Sequence, residues 1–248
     1  MIEFYTYPLI ALIFVAIFCR EVIAPASKNY CDRRWLIISS GLGVFTVLTT
    51  LGIGYLFEGQ IKEHALVTAA KQWPDAIVGL ASFTLTSFIF YWWHRATHRF
   101  DFLWRVFHQL HHSAKRVEAL TAFFAHPLDS AAAILISSFS SYMVLGASPF
   151  AAAIALVLTG VFDLFLHSDQ KTPTWIGYFI QRPEMHTVHH AYGHHAQNYG
   201  LPILDLLFGT WVNPEEREQT LGFDDANSNR ITDMLMFTDV HKKRAKEK

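Results

Sequence analysis

Residues 94–112 read HRATHRFDFLWRVFHQLHH. Five of these nineteen residues are histidines, three or four apart or adjacent, and the stretch lies between two strongly apolar segments. Spacing of i, i+4 puts His94 and His98 on one helix face, with Cβ atoms about 6 Å apart. His108 pairs in the same way with His111 at i, i+3 and with His112 at i, i+4. A second H-x-x-H-H, in HTVHH, supplies His186, His189 and His190. Neutral imidazole is the commonest biological metal ligand. Two such turns facing each other enclose a pair of metals. Left unbound, the same rings would be packed polar groups with few partners, and their mutual repulsion would depress their pKa values. An ionisable group at membrane depth is a functional position by default.

The chain has 248 residues and fourteen histidines, twelve of them between His94 and His195. His64 and His241 lie outside that stretch and read as surface residues. His126 and His194, taken singly, read as hydrogen-bonded structural residues. The motif histidines offer more nitrogen ligands than one ion takes, since zinc sites use three or four. No H-E-x-x-H occurs, so the metalloprotease pattern is missing. Cys19 and Cys31 are the only cysteines, which removes an iron–sulfur or Cys-based zinc site and reads as two free thiols. Bundle-type di-iron sites use Glu with Glu-x-x-His pairs, whereas here only histidines are spaced for the task. Imidazole suits Zn, Cu, Fe and Ni, so spacing leaves a two-metal, His-rich centre of unspecified metal.

Apolar residues make up 52% of the chain and charged residues 17%, below the roughly 25% of a soluble domain. Net charge is −1, which gives no sign of a nucleic-acid partner. A membrane helix needs about 20 apolar residues. Candidates run over 3–22, 35–57 and 75–93, the last closing on FYWW, which suits an interfacial belt. The start lacks the positive region of a signal peptide and reads as a retained first span. Residues 127–145 and 149–166 form a hairpin around GASP, as two full spans or two half-buried helices, with Pro127 and Pro149 at helix starts. Lys28, Arg33, Arg34, Arg95, Arg99, Arg105, Lys115, Arg116 and the terminal HKKRAKEK place 26–34, 94–126 and 167–248 in the cytoplasm by the positive-inside rule. Every histidine motif then falls on one face. The expected fold is all-α: an integral membrane bundle of about four to five helices with a cytosolic helical cap that carries a dimetal site. Residues 1–74 hold N-terminal spans, 75–213 the catalytic domain and 214–248 a polar, loosely held tail.

H-x-x-x-H, H-x-x-H-H and a later H-x-x-H-H, in this order, resemble the membrane fatty acid hydroxylase/sterol desaturase superfamily. So do HQLHHS, AHPLD, LHSD, RPEMHTVHH and NYGLPILDLLFGTW, across about residues 80–213. The resemblance implies a non-haem di-iron centre and O2-dependent attack on a C–H bond of a membrane lipid, giving an alcohol or, with a second hydrogen removed, an alkene. Carried over by position, the implied ligands are His94, His98, His108, His111, His112, His186, His189 and His190. His167 falls where relatives place a further ligand, and His195 matches a position often occupied by histidine. Asp163 stands where some relatives have a histidine, so one ligand is a carboxylate or is missing. Asp205, in the NYG…D…FGT block, fixes a ligand from behind or caps a helix. Arg182 and Glu184 support ligands or form a plain ion pair.

The resemblance also implies a separate electron donor, ferredoxin- or cytochrome b5-like with a reductase. Arg95, Arg99, Arg105, Lys115 and Arg116 steer an acidic donor or simply orient the chain. Phe88, Phe90, Tyr91 and Trp92 read more simply as packing or lipid contacts than as the wall of a lipid slot. Two other classes compete. A His-rich metal-ion transporter needs ligands spread through the membrane depth. A zinc-dependent membrane hydrolase needs a carboxylate base, and none is obvious.

Overall fold

The computed structural model describes residues 3–27, 32–62, 65–67, 70 and 72–242. The readings of Lys28, Cys31, His64 and the basic run from Lys243 onward lie outside the described residues. Four helices among the described residues are long and apolar enough to cross a membrane. They are α1 (Glu3–Ile23), α2 (Arg33–Lys62), α3 (Asp75–Arg99) and α6 (Pro149–Leu166). Their outward faces expose Leu12, Val44, Leu48 and Leu80, as lipid-facing helices do. No strand forms among the described residues, and a single antiparallel bridge pairs Ala191 with Leu221.

The hairpin runs the depth of the bundle in both directions. Its first arm, α5 (Pro127–Ser138), continues in a π-helical stretch, Phe139–Val144. The chain then turns at Gly146, whose φ of 57° favours glycine, and α6 returns. Ser148 caps α6 by accepting from the Ala151 amide (3.1 Å), and its hydroxyl donates to Asp75 Oδ1 (2.5 Å). That contact fixes the hairpin tip beside the start of α3, so the hairpin enters and leaves on one side. Only its second arm has the length and apolarity of a span. α3 and α6 pack closely through Gly79, where a Cβ would sit 2.8 Å from Ile154.

All functional elements collect at the end where α3 finishes. Residues 101–112 (α4) form a helix interrupted by a π-helical turn, Trp104–His108. After α6 come α7 (Pro183–His189), α8 (Pro202–Leu207), α9 (Asp225–Ser228) and α10 (Ile231–Leu235). Pro127, Pro149, Pro183 and Pro202 each open a helix, where a missing N–H costs nothing.

The tail differs from the sequence expectation. Residues 214–242 are not loosely held: Phe223, Met234 and Val240 are buried with Leu110, Ala114 and Phe124 in the core of the cap. Gln109 donates to Thr238 O (2.9 Å) and accepts from Val240 N (3.0 Å). The apolar residues of this segment are few and irregularly spaced, so their burial has no periodic signature.

Candidate metal centre

Nine of the ten sequence-predicted histidines gather into two groups. His94, His98, His108, His112 and His189 form one, and His111, His167, His186 and His190 the other, with the ligand atoms of each group within 4.8 Å of one another. α3 carries His94 and His98, α4 the central three, and α7 with its C-cap His186, His189 and His190. His167 caps α6.

The rings are held from outside by oxygen acceptors. His94 Nδ1 donates to Tyr199 O (2.8 Å), His108 Nδ1 to Asp129 Oδ2 (3.0 Å) and His111 Nδ1 to Phe124 O (3.2 Å). His167 Nδ1 donates to Asp163 O (2.9 Å), and His189 Nδ1 to Gln197 O (2.7 Å). A carbonyl or carboxylate only accepts, so each of these rings carries its proton on Nδ1 and turns a bare Nε2 lone pair inward. His94 and His108 then face each other with Nε2 atoms 2.9 Å apart and no proton between them. His111 and His167 do the same at 3.2 Å. Two lone pairs at that distance repel unless a cation lies against both.

Further nitrogens make the same demand. His98 Nε2, His112 Nε2, His189 Nε2 and His190 Nδ1 are buried without a hydrogen-bond partner, a costly state for a polar atom. One such lone-pair contact belongs to each group, and three of the orphaned nitrogens belong to the first, so the donor set fits two metal ions. Burial, reinforced by the neighbouring rings, holds His111, His112, His186, His189 and His190 well below the ordinary imidazole pKa. They stay neutral, as ligands must.

The remaining candidates fall outside the two groups. His195, with φ 44°, contacts His112 through their Nδ1 atoms at 3.1 Å and supports that ring from behind. Burial, with His241, His194 and His108 nearby, lowers its pKa to about 4. Asp163 lies behind His167, its Oδ1 3.2 Å from Nδ1, and joins neither group. His126 caps α5 by accepting from Leu128 N (3.1 Å), and exposed His194 bonds Gln197 Oε1 (2.9 Å). Exposed His241 meets Phe223 edge to face.

Asp205 acts two steps from the rings. Its carboxylate accepts from Tyr199 N (2.8 Å), Gly200 N (3.2 Å) and Thr210 Oγ1 (2.7 Å). It thereby fixes the loop whose carbonyls hold His94 and His189. Arg182 and Glu184 form a buried ion pair (3.2 Å) that ties Thr172, Asn213 and Pro214 together and touches no histidine ring. Arg95 lies over Tyr91, Trp92 and Tyr199. Arg105 pairs with Asp101, Lys115 with Asp225, and Arg116 with Glu118.

Three contributors went unassigned in the sequence reading. Asp129, inside AHPLD, holds His108. Gln181 places its amide nitrogen 3.2 Å from His186 Nδ1. Tyr199, inside NYG, sets its ring 5.4 Å from those of His94, His98 and His189. Two of the three lie in quoted motif blocks, so their neighbourhood was the available signal.

A bundle of apolar spans closed at one end by a bipartite, all-histidine cluster defines a helical membrane protein with a donor set that could hold metal. Residues 79–210 match the fatty acid hydroxylase family, and the chain belongs to that family. It is similar to the ornithine lipid hydroxylase OlsE of Rhizobium tropici, at 30% identity over 60% of this chain and 46% of that protein. It is also similar to a Dictyostelium discoideum protein whose name as a methylsterol monooxygenase is itself provisional, at 34% identity over 42% of this chain and 37% of the other. The chain thus spans less than half the length of these curated relatives. No solved structure matches it.

Proposed function

We propose that this chain is an O2-dependent membrane-lipid hydroxylase whose two histidine groups each hold an iron ion. The observation that carries the proposal is the inward set of bare imidazole nitrogens, buried in two groups where the apolar spans end. Iron bound there would supply the activation of O2 for insertion into an unactivated C–H bond. The balance is R–H, O2, two electrons and two protons giving R–OH and water. The electrons come from a separate ferredoxin- or cytochrome b5-like donor with its reductase; two cysteines are too few for an iron–sulfur cluster of the chain's own.

The protein's own residues do the rest. His94, His98, His108, His112 and His189 hold one ion and His111, His167, His186 and His190 the other. Tyr199, Asp129, Phe124, Asp163 and Gln197 fix ring orientation, the outer-shell support that metal-bound histidine requires. Burial of the rings keeps water from the reacting centre. The relatives named above, a lipid hydroxylase and a provisionally named monooxygenase, favour oxygen insertion over removal of a second hydrogen. Arg33, Arg34, Arg95, Arg99, Arg105, Lys115 and Arg116 favour the cytosolic face for this end of the bundle. Gathering of the ligands at one end speaks against a transporter, which needs them along its path.

Metal content and Mössbauer spectra of the purified protein in detergent test the metal. Lipid profiling of a deletion strain, read for a lost hydroxyl, tests the reaction. Two irons per chain and a missing hydroxylated lipid support the proposal. One zinc per chain, retained when His111 and His112 are both changed to alanine, refutes it.

A further inference from the structure

The cap carries apolar surface that its own core does not use. α8 buries Pro202, Leu204 and Asp205 but exposes Ile203, Leu206 and Leu207, with Phe208 following; Leu207 is 68% exposed. Beside it, the turn 174–179 exposes Trp175, Tyr178 and Phe179, the last at 77%. None of these residues is charged. Elsewhere on the cap, Glu215, Glu216, Gln219, Asp224 and Asp225 are exposed and polar. A contiguous apolar patch on one face of an otherwise polar unit marks an interaction surface.

Its occupant follows from continuity. The Phe208 ring lies 4.7 Å from Trp92, an exposed residue near the end of membrane helix α3. The patch therefore extends the lipid-facing surface of α3 without a break. We propose that α8 and the turn 174–179 dip into the headgroup–acyl boundary of the bilayer that α3 crosses, and form the lip over which a lipid reaches the histidine centre. Short amphipathic elements with bulky apolar faces lie in that boundary. Aromatic rings continue inward from the lip. Phe208 packs on Tyr91 (5.5 Å), Tyr91 on Tyr199 (6.2 Å), and Tyr199 lies against His94, His98 and His189. The lip and the ligand cradle share one helix, since Asp205 holds the loop from within α8.

The role of the lip in lipid delivery rests on the hydroxylase reading, whereas its place in the bilayer does not. Single cysteines at Leu207→Cys, Phe179→Cys and, as a control, Gln219→Cys, in a background with Cys19→Ser and Cys31→Ser, are labelled with bimane in phosphatidylcholine nanodiscs. Labels at 207 and 179 are expected to be quenched by brominated acyl chains and shielded several-fold from iodide relative to 219. Labels there that iodide reaches as freely as at 219 overturn the proposal. So do labels protected from both quenchers, which means that a protein covers the patch. The pair Leu206→Ser and Leu207→Ser is expected to keep metal content and melting temperature while raising KM for the lipid more than it lowers kcat. Unchanged KM in an active protein refutes the delivery role. A wild type that forms no hydroxylated product counts against the hydroxylase reading and leaves the quenching result to decide the placement of the lip.

Discussion

Removing the Asp205 carboxylate provides a direct test of how this centre is held. Asp205 is fully buried and accepts from two backbone amides, those of Tyr199 and Gly200, and from the Thr210 hydroxyl. Asp205→Ala takes the acceptor from both amides, which belong to half-buried residues. At up to about 1–3 kcal/mol for each orphaned amide, the loop loses at most about 2–6 kcal/mol. The carbonyls of Tyr199 and Gln197 then no longer point at His94 and His189. Both of those rings belong to the five-histidine group, so the loss is confined to one metal. Loss of outer-shell support costs about 10–100-fold in metal affinity. Asp205→Asn keeps one acceptor oxygen and falls between the wild type and the alanine variant. The assay is metal content after dialysis against graded chelator, with cap melting followed by near-UV circular dichroism. Weaker binding of one metal, with the second unchanged, is the expected result. Wild-type retention of both metals in Asp205→Ala refutes the chain of support from α8 to the rings.

Three further outcomes are expected. His111→Ala and His112→Ala each remove one metal, a different one, and the double change removes both; elemental analysis of the purified variants checks this. Metal-free protein loses stability as pH falls below about 6.5. The buried imidazoles outside the spans have folded-state pKa values below the ordinary value, so the unfolded chain takes up protons first. Stability from each is intact above that pH and falls by at most about 1.4 kcal/mol per pH unit below it, for His195 until about pH 4. Melting of the apo protein between about pH 8 and 5 measures this, and a flat profile contradicts it. Arg182→Met strands Glu184 in the core and costs about 3–5 kcal/mol. The folded fraction should still bind both metals, since neither side chain touches a ring.

The histidines that gather into the two groups were legible in the sequence because i, i+3 and i, i+4 spacing survives in any helix. Helix length and apolarity likewise located α1, α2, α3 and α6. The division of ligands between groups was not legible. It depends on the π-helical turn Trp104–His108, which re-aims His108, and on how α4 and α7 face each other in space. The role of Asp163 was equally hidden, because one carboxylate four residues from a histidine serves as ligand or as support depending on which ring nitrogen it meets. His195 matches a ligand position by order along the chain, yet its left-handed backbone turns it to the rear of His112. The packing of Phe223, Met234 and Val240 depends on tertiary contact with Leu110 and Phe124, which no local pattern encodes.

Each H-x-x-H-H turn serves both groups at once. His108 and His112 go to one group and His111 to the other; His189 goes to the first, His186 and His190 to the second. The spacing between the two groups is therefore written into the pitch of two short helices and cannot be adjusted by a side chain. Inserting or deleting a single residue in either turn rotates donors out of both sites together. Residues on the apolar face of α8 can vary position by position, but the two histidine groups form one unit of heredity.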